Sequence, residues 1–172
     1  MPNNFLDILK GTPIWVFGIL AYLLYVGITA SRPNVLSIKK LFLLPLIFFI
    51  LNLRIFFIAR DFFVVSLWLM FVFMGISINW LILKKKIIKA DKKNQLIALP
   101  GEIATLIFLL MFFVIKFYFG FKISQDPNIM KNSSFFYKFV SLSATSFGLF
   151  LGKMLCYFNK YKKAESIDLK NV

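Results

Sequence analysis

The chain has 172 residues, of which 60% are hydrophobic, and a formal net charge of +14. Its mean hydropathy is +0.81, and surface-to-volume scaling leaves a water-soluble domain of this size too little interior to hide 23 phenylalanines. There is no histidine and one cysteine, Cys156, which excludes His-ligated haem, His-based zinc sites, Ser-His and Cys-His nucleophile pairs and any internal disulfide.

Five apolar runs occur in chain order: residues 13–30, 41–59, 62–83, 102–121 and 134–158. Each is about 18 residues or longer, enough to cross roughly 30 Å of hydrocarbon at 1.5 Å per residue. Membrane strands would alternate and need only about 9–11 residues each. The expected fold class is therefore all-α, a polytopic bundle of five transmembrane helices in one membrane domain. A secretory signal is not expected in the first run, because the residues before it carry one acid, Asp7, and one base, Lys10, instead of a basic leader. Thr12 and Pro13 suit a helix start.

The first run is followed by Arg32, Lys39 and Lys40. The second and third are separated only by Arg60-Asp61, a hairpin with almost no loop. Residues 84–101 form the longest connection and carry Lys84, Lys85, Lys86, Lys89, Lys92 and Lys93, with too few apolar positions for an amphipathic helix. Pro100-Gly101-Glu102 marks the fourth helix start, with an acid at the positive helix end. The tail from Asn159 is polar and expected to be mobile. With the N-terminus outside and the C-terminus inside, the inner segments hold 13 Lys and Arg and the outer segments 4. Every loop then obeys the positive-inside rule. The basic residues flank membrane segments, so no nucleic-acid partner is expected. The 84–93 cluster should attract anionic inner-leaflet lipid.

Arg54, Lys116, Lys138 and Lys153 lie inside the runs. The simplest reading is snorkelling toward the interfaces. In a sharper one, Arg54, Lys116 and Lys138, all in the outer half, form a basic pocket for an anionic ligand or lipid head group. No acid lies mid-membrane, which argues against a proton- or sodium-coupled transporter. In the fifth run Ser141, Ala144, Thr145, Gly148 and Gly152 form a small-residue face, suited to packing within the chain or to a homo- or hetero-oligomer. Asn52, Asn79, Ser66 and Ser77 are candidate interhelical hydrogen-bonding groups. Trp15, Tyr118 and Tyr137 suit an outer aromatic belt, and Trp80, Tyr157 and Tyr161 an inner one. Pro45 should kink the second helix. Cys156 reads as a small packing residue.

The segments LKGTPIWV (9–16), SRPN (31–34) and LLP (43–45) resemble the opening of an uncharacterised family of small bacterial membrane proteins. The resemblance extends more weakly to Pro100-Gly101, residues 116–120 and residues 148–153. That family is a domain of unknown function, distantly similar to CcdC-like membrane proteins. The resemblance implies a bacterial inner-membrane protein and carries over no catalytic residue. No catalytic residue, metal or cofactor is expected. The functional expectation is a non-enzymatic accessory or partner-binding membrane subunit. The alternative is a small transporter, channel or lipid- or anion-binding protein using the outer basic pocket.

Overall fold

The computed structural model describes residues 12–58 and 61–167. Residues 9–11 of the sequence motif, the flanking Lys10 and Lys170, the hairpin residue Arg60 and the side chain of Arg54 lie outside the described residues.

The fold is mostly helical. Helix α1 spans Ile14–Ser31, β1 Asn34–Ser37, α2 Lys40–Ile58, α3 Phe62–Leu83, β2 Lys89–Asp91, β3 Leu96–Leu99, α4 Ile103–Gln125 and α5 Ser133–Lys163. A 3-10 turn, Pro127–Lys131, joins α4 to α5. Four helices, α1, α3, α4 and α5, are long and apolar enough to cross a membrane. Helix α2 contributes an apolar stretch over Lys40–Ile50, with Pro45 inside it.

Local chemistry sets the helix ends. Pro13 takes the N-cap position of α1, and its carbonyl accepts from Val16 N at 3.0 Å. Pro33 follows the C-terminus of α1, and Asn34 Nδ2 donates back to Thr29 O at 2.8 Å. Asp61 caps α3 by accepting from Phe63 N at 3.1 Å, and Asn132 caps α5 by accepting from Phe135 N at 3.2 Å. At 31 residues α5 is about 46 Å long, more than a bilayer core needs. Its last turns therefore stand beyond the apolar part of the bundle.

Packing divides the helices into two groups. Helix α3 lies along α5, with α2 on another side of α5; α1 packs on α4. Small residues permit the α3–α5 contact. A Cβ on Gly75 would lie 2.5 Å from Thr145 O, and one on Gly152 would lie 2.8 Å from Ile76 Cα. One on Gly148 would collide with Val72 O. Asn79 Nδ2 donates to Leu149 O at 2.6 Å across the same seam. In the bundle centre Phe48 sits 4.2 Å from the Phe112 ring and 4.3 Å from the Phe150 ring, and Trp68 stacks on Phe147. Asn52 accepts from Trp68 Nε1 at 3.3 Å and donates to Phe48 O at 2.7 Å. The outward faces stay apolar: Ile14, Phe62, Phe73 and Ile103 are all exposed.

The all-α expectation needs a correction. The connection 84–101 folds into a β2–β3 hairpin, and β1 pairs antiparallel with β3, giving a three-stranded sheet of order β1-β3-β2. Asp91 closes the hairpin by accepting from Asn94 N (2.9 Å) and Nδ2 (2.7 Å), with Gln95 at φ 54°. The sheet caps one end of the bundle over a second small core of Leu83, Ile97, Leu99, Cys156 and Tyr157. The tail expectation also changes. Helix α5 runs on to Lys163, and Ser166 Oγ accepts from Lys92 N at 3.1 Å. Lys160 donates to the carbonyls of Leu83 (2.5 Å), Lys84 (3.2 Å) and Lys86. These are carbonyls at and just past the C-terminus of α3, which lack helical donors.

Candidate functional site

Of the three lysine and arginine positions read as an outer basic pocket, Lys116 is half-buried on α4. Its Nζ donates to Ser143 Oγ of α5 at 2.7 Å and lies 4.6 Å from the Phe139 ring centroid. Lys138 is exposed. No hydrogen bond joins Lys116 to Lys138, and the Arg54 side chain is outside the described residues. Gly148 and Gly152 are engaged with α3 as described above.

A different cluster forms at the sheet-capped end. Lys153 does not snorkel outward; its Nζ pairs with Glu102 Oε2 at 2.9 Å and donates to Thr105 Oγ1. Tyr157 donates its hydroxyl proton to Glu102 Oε1, and Thr105 Oγ1 lies 3.5 Å from Glu102 Oε2. The side chains of Lys153 and Glu102 are 16% and 7% exposed, so this is a buried ion pair whose desolvation must be offset by good hydrogen bonding. Tyr157 is fully buried, not part of an aromatic belt. Glu102 occupies the N-cap position of α4, but its side chain caps nothing. Its backbone N donates to Ala30 O at 2.9 Å, which ties the start of α4 to the end of α1. Gly101 makes that crossing possible: a Cβ there would collide with Ser31 O.

Beside this cluster is a crevice of about 350 Å³. Its walls come from α1 (Tyr22, Tyr25), α2 (Lys40, Leu44), Thr105 of α4, and Lys153 and Tyr157 of α5. The crevice exists because α1 packs on α4 and α2 on α5, leaving a gap between α1 and α2. Among the described residues Lys40 and Lys153 are its only charged lining residues; Glu102, paired with Lys153, does not line it. Among the described residues no three His, Cys, Asp or Glu side chains gather to hold a metal ion.

One signal in the sequence pointed here. Glu102 and Lys153 are opposite charges at the same end of antiparallel helices, and Tyr157 lies four residues, one helical turn, beyond Lys153. Reading Glu102 as a helix-start acid and Tyr157 as an interfacial aromatic separated the three.

No curated protein and no solved structure matches the chain. The likeness to CcdC-like proteins is not supported. The sequence pattern of a family of unknown function, DUF6622, matches residues 1–162, and the chain belongs to that family.

Proposed function

We propose that the chain is a five-span protein of the bacterial inner membrane that works by binding, not by catalysis, with its site in the crevice at the sheet-capped end. The observation that carries this is a cavity of about 350 Å³ lined in part by Thr105, Lys153 and Tyr157, each of which is tied to Glu102 by a hydrogen bond or ion pair. A group already committed to two or three partners holds its neighbours in place; it is poorly placed to transfer a proton to a substrate. The chain also has no histidine to do so. In the accessory form of this reading the site serves a partner subunit.

Orientation follows from charge. The capped end carries Lys84, Lys85, Lys86, Lys89, Lys92 and Lys93, so the positive-inside rule puts it in the cytoplasm and the start of α1 outside. Helix α2 then crosses as the second span, with 19 residues covering roughly 28 Å. Single cysteines at Asn128 and Lys92 in a Cys156→Ser background test this. An impermeant maleimide should label the Asn128 position in intact cells and the Lys92 position only after permeabilisation; the reverse pattern rejects the orientation. The binding reading predicts that a ligand supplied to the purified protein in nanodiscs is retained and recovered chemically unchanged. Conversion to a new species would reject it.

Half-buried Lys116 favours a second reading, an anion or lipid-head site on the opposite side with Arg54 and Lys138. Gln at all three positions should then weaken binding of anionic lipid.

A further inference from the structure

Resting on the binding reading above, we propose that the crevice takes a single-chain amphiphile with an anionic head, a carboxylate or a phosphate, seated between Lys40 and Lys153. Charge identifies the head. Among the described residues both charged groups lining the crevice are lysines, and the nearby carboxylate Glu102 is paired with Lys153 and does not line it. An ammonium has three donors. Lys153 gives one to Glu102 and one to Thr105, which leaves one for an occupant. The Tyr157 hydroxyl has spent its proton on Glu102. Lys40, an exposed lining residue, has no acidic neighbour among the other described lining residues. A cationic head would meet two ammonium groups and no carboxylate.

Shape identifies the tail. The rest of the crevice wall is mostly apolar, including Val26, Leu44 and Phe150, and its volume of about 350 Å³ suits one small occupant. Three of its lining residues, Tyr22 and Tyr25 of α1 and Leu43 of α2, are exposed on the apolar outer surface. A chain can therefore enter sideways from the bilayer while its head stays near the interface at Lys40. The sources compatible with this chemistry are a free fatty acid, an alkyl or prenyl phosphate, and one chain of a phospholipid.

The full chain in phosphatidylcholine nanodiscs is titrated with palmitate, hexadecyl phosphate and neutral hexadecanol, with bound probe counted by native mass spectrometry. The expected result is that at least one anionic probe binds about tenfold tighter than hexadecanol. Lys40→Gln should remove most of that preference and leave hexadecanol unchanged. Ala30→Phe, which fills the crevice wall, should abolish binding of all three. Nanodiscs doped with phosphatidylglycerol suppress probe binding if a phospholipid chain is the natural occupant, and leave it intact if a free single-chain lipid is. Hexadecanol binding as tightly as both anionic probes overturns the anionic assignment alone. Wild-type binding by both Lys40→Gln and Ala30→Phe overturns the crevice as the site. Failure of all three probes, or recovery of an altered probe, overturns the underlying binding reading as well.

Discussion

Helix α5 meets α3 and α4 by opposite means. Against α3 it presents glycines, so the two backbones lie close enough that Gly75, Gly148 and Gly152 have no room for a Cβ. In lipid, where no hydrophobic force drives helices together, such close van der Waals packing is a main source of association. Against α4 the approach is sparser: Phe119 packs on Phe135 and Phe139, and polar links add to it, Lys116 to Ser143 midway along the helices and Lys153 and Tyr157 to Glu102 at the sheet-capped end. The first seam is close backbone packing with one hydrogen bond, Asn79 to Leu149 O, across it. The second is a set of polar links beside a crevice. The proposed binding role would use both, a fixed frame and a joint with room beside it.

The largest effect should come from breaking the tight seam. Gly148→Leu drives a side chain into the Val72 backbone, which has no flexible atom to yield. We expect destabilisation of about 4 kcal/mol or more, read by unfolding in mixed micelles and by loss of the monodisperse species on gel filtration. A near-neutral result would mean that the α3–α5 spacing is wrong.

The next effect tests the polar joint. Lys153→Met leaves Glu102 buried without its counter-charge, at a cost of about 3 kcal/mol. The paired change Glu102→Gln with Lys153→Met removes both charges and should recover most of that loss. If the two single changes simply add, the groups do not act as a pair.

The helical frame was legible because length and apolarity suffice for it: each helix overlaps an apolar run in the sequence. The small-residue spacing at Gly148 and Gly152 was legible for the same reason, since one helix face contains it. The sheet was not. Strands of three or four residues carry little periodicity, and Asn34↔Leu99 pairs positions far apart in sequence. The cluster at Glu102 was hidden likewise, because its members come from two helices and look ordinary one at a time. Its crevice depends on which helices leave a gap, something only packing decides.

Tyr157→Phe sharpens the joint further. It removes the hydroxyl that donates to Glu102 Oε1 and keeps the ring in its small core with Leu83, Ile97 and Leu99. The expected loss is about 1.5–2 kcal/mol, toward the lower end for one hydrogen bond to a charged acceptor. Because Lys153 still balances the charge, the effect should be clearly smaller than that of Lys153→Met. An equal or larger effect would move the centre of the joint from the ion pair to the tyrosine.

The smallest effect separates glycines that pack from glycines that do not. Gly120 on α4 has nothing within 4 Å of where a Cβ would be, in contrast to Gly148 on α5. A glycine inside a helix costs roughly 0.5–1 kcal/mol relative to alanine. Gly120→Ala should therefore leave the protein as stable or stabilise it by up to about 1 kcal/mol in the same micelle assay. Destabilisation would carry more information than agreement. It would mean that something covers this face of α4 in the assembled protein, either a second copy or a partner helix using Gly120 as α3 uses Gly148. Helix α4 would then be an interface on that face, and its sparse contact with α5 would reflect divided packing.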